Sequence, residues 1–194
     1  MKKVEHGKTF DRNAANPPAF EIFHNTVTEG YPEHWHTAIE IIMPTRGEYE
    51  VVVGKDSYNL KEGDIIMINS GVVHGMRFVS QGERIVMLVE PGCVENQEEM
   101  ETIFLRLPAI YFKKEDEEDP FYLFLRSQIL ELVREYDNEG AVMTHRICTG
   151  LKELFSEFGR KGFSDANAQN TFGAMKQQEY ICLLYTSDAA DEAR

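Results

Sequence analysis

The feature that most constrains the fold of this chain is a succession of short apolar segments between Phe20 and Glu90. Each is rich in Ile, Val, Phe, Tyr or Met, and turn residues such as Gly47, Gly63 and Gly71 separate most of them: AFEIFHNTV, HTAIEIIM, EYEVVVG, DIIMIN, HGMRFV and RIVMLVE. Many short strands at this spacing indicate an antiparallel sandwich or barrel. The segment GKDS, between YEVVV and YNL, predicts a hairpin loop.

The pattern changes after Pro91, where NQEEMETIFLRLPAI predicts a short helix and a connection. Asp119 supplies an N-cap for a helix predicted from Pro120 to Tyr136, and Gly140 stops that helix. A second helix is predicted from Ala141 to Phe158, with its apolar residues on one stripe. Amphipathic helices of this kind pack by default on their own domain. The predicted fold class is therefore mainly β: an antiparallel barrel followed by two α-helices.

The composition of the 194 residues excludes several classes of function. The formal net charge of -13 and the scattered basic residues argue against nucleic-acid binding by this chain, because phosphate contacts need clustered Lys and Arg. No apolar segment approaches the length of a membrane span, and no secretory signal is visible. The three cysteines are widely separated, which is typical of free thiols in a reducing cytoplasm. We therefore expect a cytoplasmic protein without a membrane partner.

Two histidines and a glutamate stand close together in HWHTAIEIIMPTRG. If this segment is one strand, His34, His36 and Glu40 share a parity and project to the same face. Burying two imidazoles and a carboxylate requires partners, and a divalent metal or a polar ligand would satisfy them. Two His and one carboxylate suit iron, manganese or zinc, and His74 is the candidate for a fourth protein ligand.

The alternative to a metal site is a polar pocket, in which the same four side chains hydrogen-bond a small effector or one another. Met76 and Phe78 share the parity of His74, so they are candidates for lining the cavity, with core filling as the alternative role. Arg46 and Tyr49, beside Gly47, are compatible either with a ligand contact or with turn chemistry. The residues alone leave these alternatives open.

These residues carry a resemblance to the cupin family. HWHTAIEIIMPTRG fits the first cupin motif, HxHxxxExxxxxxG, at every position. GDIIMINSGVVH, from Gly63 to His74, resembles the second motif, although Asn69 stands where the family usually has proline and Phe78 stands where it often has asparagine. The resemblance implies a cupin-like jelly roll whose ligands are His34, His36, Glu40 and His74. It also implies a possible divalent metal, namely Fe, Mn, Ni or Zn.

A narrower resemblance covers Phe20 to Ile181. A single N-terminal cupin with HWH, IEII and VVHG, followed by two helices and a linker, is similar to the sensor half of AraC-type transcription regulators. The resemblance implies a small-molecule effector, namely a sugar or related polar metabolite, and a homodimer formed by the helices. It also implies DNA binding only through a helix-turn-helix region that would follow the linker, since AMKQQEYI resembles the start of its first helix.

The expected organisation follows from these patterns. Residues 1–19 form an N-terminal arm, 20–92 the cupin barrel, 93–162 a helical dimerisation or packing region, and 163–181 a linker with the start of a DNA-binding domain that this chain lacks. Residues 182–194 are expected to be an artefactual tail, because CLLYTSDAADE resembles a translated sequencing adapter.

Two functions fit the sequence. The first is an effector-sensing and dimerisation domain of a transcription regulator, with no catalytic residue. The second is a metal-dependent cupin enzyme, such as a dioxygenase or isomerase. Fold alone does not decide between these two functions. The predicted helices and linker favour the regulator, and the complete ligand set favours the enzyme.

Overall fold

A computed structural model describes residues 19–26, 30–93, 108–114, 118–138 and 142–161 of the chain. It contains nine strands and two helices within these ranges: β1 Phe20–Asn25, β2 Tyr31–His34, β3 Ile39–Arg46, β4 Tyr49–Val53, β5 Asp56–Leu60, β6 Ile65–Ile68, β7 His74–Phe78, β8 Glu83–Val89, β9 Ala109–Phe112, α1 Pro120–Asp137 and α2 Met143–Lys161. A 3₁₀ turn, Pro91–Cys93, follows β8. The expected linker and tail, and nearly all of the N-terminal arm, lie outside the described residues.

The strands form two antiparallel sheets that face each other. The five-stranded sheet has the order β1-β8-β3-β6-β9, and the four-stranded sheet has the order β2-β7-β4-β5. The predicted hairpin is present between β4 and β5, where Val53 pairs with Asp56 across a two-residue turn and Gly54 adopts a φ of 58°. The prediction of a mainly β jelly roll followed by two helices is confirmed.

The inner faces of the two sheets share one apolar cluster, whose buried members are Ile42, Val51, Val53, Leu60, Ile66, Ile68, Val72 and Met76. The outer face of the five-stranded sheet forms a second cluster with both helices, in which Ile39, Ile41 and Met43 of β3 contribute. β3 is therefore buried on both faces, which explains why its sequence is an almost continuous apolar run rather than an alternating one.

The helices pack on the barrel of their own chain, as the default interpretation predicted. Asp119 accepts a hydrogen bond from the Phe121 N–H at 2.8 Å, which confirms the predicted N-cap. The buried Tyr122 hydroxyl donates to the Gly63 carbonyl at 2.9 Å and so ties α1 to the β5–β6 turn. α1 ends one residue beyond the predicted Tyr136, and α2 begins two residues after the predicted Ala141.

Two strands differ from the sequence-based expectation. β2 was not predicted, since Tyr31–His34 contains a proline and no apolar run. The segment containing Ala109 and Ile110 was interpreted as the end of a helix and connection, yet these residues begin β9, which pairs with β6. The pairing of β9 with β6 is a long-range contact that local sequence patterns do not predict. The rest of the predicted short helix, residues 96–107, lies outside the described residues.

Neither described helix combines the length and the apolar composition needed to span a bilayer.

Candidate functional site

The four candidate ligands come together inside one end of the barrel. One ligand atom from each of His34, His36, Glu40 and His74 lies within 4.8 Å of every other. Glu40, His36 and His74 are buried, at 3%, 8% and 1% exposure, whereas His34 is partly exposed. The cluster is thus a largely buried polar site that solvent reaches from the side of His34.

The reason for this convergence differs from the sequence-based argument. Strand parity requires His34, His36 and Glu40 to lie on one strand. In the structure, β2 ends at His34 and β3 begins at Ile39, and these two strands belong to different sheets. His36 lies in the connection between them. The ligands therefore meet because the chain crosses from one sheet to the other at this point, and not because of alternation along a single strand.

Close backbone approach positions His34 beside His74. The two residues are paired in the register between β2 and β7, and their ring centroids are 4.4 Å apart. A Cβ atom on Gly30 would lie 2.6 Å from the Met76 carbonyl oxygen, and one on Gly75 would lie 3.1 Å from the Tyr31 carbonyl oxygen. Glycine at these positions therefore allows β2 to lie against β7.

The turn in the second motif holds the backbone of the first motif in place by a hydrogen bond. Gly71 adopts a φ of 72°, a conformation that favours glycine, and its N–H donates to the His36 carbonyl at 2.8 Å. The same turn leads directly into Val72, whose carbonyl faces the His74 ring. The two motifs thus hold His36 and His74 by neighbouring backbone groups.

All three histidines use their rings in the same way. Each Nδ1 lies 2.8–3.0 Å from the backbone carbonyl oxygen of a residue two positions away, which is Pro32 for His34, Ala38 for His36 and Val72 for His74. Since a carbonyl can only accept, each Nδ1 carries the proton, and each neutral ring then presents its Nε2 lone pair. This is the orientation that outer-shell carbonyls impose on metal-binding histidines.

The acceptor groups in the cluster face one another. The Nε2 atoms of His36 and His74 both lie 2.9 Å from the same oxygen, Oε2 of Glu40. With Nδ1 protonated on both rings, two lone pairs and a carboxylate oxygen converge, and such a set needs a shared cation or additional protons. The residues therefore fit a divalent metal bound by three Nε2 atoms and one carboxylate.

The electrostatics of the cluster depend on whether the Nε2 atoms of His36 and His74 carry the additional protons. Burial by itself would raise the pKa of Glu40, but hydrogen bonds from protonated Nε2 atoms of His36 and His74 outweigh it and hold the pKa of this carboxyl well below its usual range. Burial, together with the neighbouring His74, lowers the pKa of His34. Glu40 is thus a carboxylate and His34 a neutral imidazole at neutral pH.

The remaining residues singled out from the sequence lie elsewhere. Met76 belongs to the buried inner cluster, whereas Phe78, at the other end of β7, is 45% exposed. Arg46 forms an exposed ion pair with Glu83 at 3.0 Å. Tyr49 is buried in the barrel, at 1% exposure.

Arg84 is a buried charged residue that the sequence analysis did not single out. Arg84 of β8 is 2% exposed, and the Cζ atom of its guanidinium lies 4.7 Å from the centre of the Tyr49 ring. The sequence did contain a signal, because Arg84 has the same strand parity as the inward-facing Val86 and Leu88.

Comparison with known proteins supports the fold of this region. Residues 25–90 match the family model of the cupin domain, so a cupin domain is present in this part of the chain. No curated protein matches the chain in sequence.

Similar solved structures include both uncharacterised and named proteins. Protein NMB1881 from Neisseria meningitidis is 17% identical, with 39% of this chain and 78% of that chain covered and a TM-score of 0.35. ToxT from Vibrio cholerae is 11% identical, with 75% and 56% covered and a TM-score of 0.47. Oxalate decarboxylase from Bacillus subtilis, described with Mn(II) centres, is 17% identical, with 36% and 20% covered and a TM-score of 0.32.

Proposed function

We propose that this chain, whose residues 25–90 form a cupin domain, is the effector-sensing and dimerisation domain of an AraC-type transcription regulator and has no catalytic activity of its own. One observation carries the proposal: a single strand, β3, connects the candidate site to the helices. Glu40 of β3 faces the barrel interior, while Ile39 and Ile41 on either side of it pack in the cluster that contains both helices. A ligand bound at Glu40 can therefore shift the packing of the helices through one rigid element.

The helices also retain an apolar surface on the side away from the barrel. Leu123 and Leu130 are 50% and 39% exposed and stand seven residues apart, so they share one face of α1. Val142, just before α2, is 54% exposed. The occupant of this surface is a second copy of the chain, as the resemblance to AraC-type regulators implies, and effector binding shifts the dimer between two arrangements.

A divalent metal belongs to the proposed site. His34, His36, Glu40 and His74 would hold Fe, Mn, Ni or Zn, and the ion would supply a Lewis-acidic attachment point for oxygen atoms of the effector. The effector is a sugar or a related polar metabolite, taken up in the cytoplasm. DNA binding is assigned to a helix-turn-helix region of the parent protein, because the net charge of -13 disfavours contacts between this chain and phosphates.

The second candidate function is a metal-dependent cupin enzyme, such as a dioxygenase or isomerase. The complete ligand set favours it, as does the partial exposure of His34, which gives a small substrate a route to the cluster. Sensing and catalysis differ in the fate of the ligand, since a sensor releases it unchanged.

The test of the metal site compares two histidine variants. The chain is produced in metal-supplemented medium, and its metal content is measured by elemental analysis. We expect about one ion per chain in the wild type, loss of the ion in His36→Ala, and no change in His145→Ala, which alters an exposed histidine of α2. Metal-free wild-type protein after this treatment would leave the polar-pocket alternative in place.

The choice between sensor and enzyme uses the metal-loaded chain and a panel of sugars and sugar acids. Compounds that raise its melting temperature are incubated with it in air and recovered for mass spectrometry. We expect complete recovery and no oxygen uptake, and conversion of a bound compound would establish the enzyme instead.

The dimer is tested by sedimentation of the wild type and of Leu123→Glu/Leu130→Glu. Lys55→Glu, an exposed position in the turn between β4 and β5, serves as the control. A dimer in the wild type and control, and a monomer in the double variant, are expected.

A further inference from the structure

The second set of polar groups in the barrel interior lies at the end opposite the histidines. Glu40 pairs with Leu88, and Pro44 pairs with Arg84, in the register between β3 and β8. Four strand positions correspond to roughly 13 Å. Ile42 and Val86, which pair with each other, separate the two sets of polar groups. Arg84 thus lies beyond the histidines along the barrel. Burial lowers the pKa of its guanidinium, although the charge of Glu40 still acts on it and raises that pKa.

Arg84 reaches across the interior to the facing sheet. It extends from β8 of the five-stranded sheet, and its guanidinium stacks on the ring of Tyr49, which belongs to β4 of the four-stranded sheet. Within the described part of the chain, Nε and Nη1 of Arg84 are buried and have no hydrogen-bond partner, and the same holds for the Tyr49 hydroxyl. Two contacting side chains therefore carry three buried polar atoms without hydrogen-bond partners in the described part of the chain.

The ring contact alone does not account for this arrangement. A cation stacked on an aromatic ring gains about 0.5–2 kcal/mol, whereas a buried charge without paired hydrogen bonds costs several kcal/mol. The arginines that form ion pairs with glutamate, Arg46, Arg77, Arg134, Arg146 and Arg160, are all exposed. Arg84 is the one described arginine that is buried; the charge of Glu40 acts on it, but no described carboxylate forms an ion pair with it.

We propose that Arg84 and Tyr49 bind the carboxylate group of the effector. The inference rests on the proposed function in one respect, namely that the barrel interior takes up a small molecule. One guanidinium and one phenol hydroxyl match the single charge and two oxygens of a carboxylate, whereas a phosphate dianion would keep an uncompensated charge. The effector is therefore an organic acid, such as a sugar acid, rather than a neutral sugar or a phosphate ester.

The experiment uses four probes on the complete chain: D-gluconate, hexanoate, D-glucose and inorganic phosphate, at constant ionic strength. Binding is followed by isothermal titration and by the shift in melting temperature. We expect at least one carboxylate to bind and stabilise the wild type, with no comparable effect of glucose or phosphate. Arg84→Met is expected to weaken carboxylate binding by about 100-fold and Tyr49→Phe by about tenfold, as befits a charged and a neutral donor.

A second readout distinguishes a binding residue from a structural one. Because Arg84→Met replaces an unpaired buried charge by an apolar chain of similar length, the ligand-free variant should melt at the same temperature as the wild type or higher. A purely structural Arg84 would instead give a less stable variant with unchanged carboxylate binding. Tyr49→Phe keeps the aromatic ring, so we expect this variant to fold and to test the proposal even if Arg84→Met does not fold.

The outcomes separate this inference from the proposed function. Binding of D-glucose with no preference for carboxylates would overturn the inference and leave a sensor in place. Absence of carboxylate binding to the wild type would overturn it as well, whatever the metal content and oligomeric state prove to be.

Discussion

Glu40 and Asp64 are both buried carboxylates on the five-stranded sheet, at 3% and 4% exposure, yet they have different kinds of partner. Asp64, directly before β6, accepts hydrogen bonds from the backbone N–H groups of Lys61 at 2.9 Å and Lys114 at 2.7 Å, and from the Tyr111 hydroxyl at 2.6 Å. Glu40 contacts the imidazoles of two histidines instead, His36 and His74.

The difference shows how to distinguish a structural carboxylate from a functional one. Backbone N–H groups do not lose their protons or give way to a metal. Asp64 therefore has a fixed structural role, in which it links β9 to the turn before β6. Asp64 also borders a surface groove of about 620 Å³, but its oxygens are already occupied by internal donors. Imidazoles can be protonated, deprotonated or bound to a metal, which makes the surroundings of Glu40 adjustable.

The largest expected effect is the loss of stability in Asp64→Ala. The substitution leaves two backbone N–H groups and the Tyr111 hydroxyl without their acceptor, and we expect it to reduce the free energy of unfolding by about 3 kcal/mol. Urea denaturation measures the change, with Glu62→Ala, an exposed carboxylate nearby, as the control. A loss below about 1 kcal/mol would show that Asp64 is not a structural anchor.

Glu40→Gln should affect metal affinity more than stability. The variant keeps the size of the side chain but removes its charge, and we expect metal affinity to fall by roughly 100-fold or more, since even outer-shell substitutions cost about 10–100-fold. Competition with a chelator of known affinity measures the change. Asp64→Asn is the matched control: it should lower stability and leave metal affinity unchanged. Equal affinities in Glu40→Gln and wild type would remove Glu40 from the ligand set.

The same comparison shows what the sequence could and could not reveal. The spacing of His34, His36 and Glu40 identified the cluster, because the motif is local and its residue types are specific. The explanation by strand parity was wrong, because the chain changes sheet between His34 and Ile39. The hydrophobic pattern of the sequence does not reveal this change. The role of Asp64 was not visible because its partner Tyr111 lies on β9, which local propensity does not predict.

The pH dependence of stability should report on the contacts of Glu40. Since the folded-state pKa of Glu40 is held below its ordinary value of 4.5, the unfolded chain takes up a proton below that pH that the folded chain does not. The stabilisation by Glu40 is therefore present above about pH 4.5 and declines as the pH falls.

Measured with chelator present, the stability difference between wild type and Glu40→Gln should shrink by up to about 1.4 kcal/mol per pH unit below 4.5. Urea denaturation at several values between pH 6 and pH 3.5 provides the measurement. A difference that stays constant over this interval would mean that the histidine contacts do not lower the pKa of Glu40.

The smallest effect is expected from Tyr111→Phe, which removes one donor from Asp64 while the backbone donors remain. The Tyr111 hydroxyl lies 2.6 Å from Asp64 Oδ2 and 3.2 Å from the Asn59 carbonyl oxygen, so the shorter contact identifies the carboxylate as its acceptor. Because Lys61 still donates to the same oxygen, we expect a loss of only about 1 kcal/mol. In the Asp64→Ala background the same substitution should cost less, since the hydroxyl has already lost its nearer acceptor and keeps the carbonyl of Asn59. Additive losses in this double-mutant cycle would show that Tyr111 stabilises β9 by packing alone.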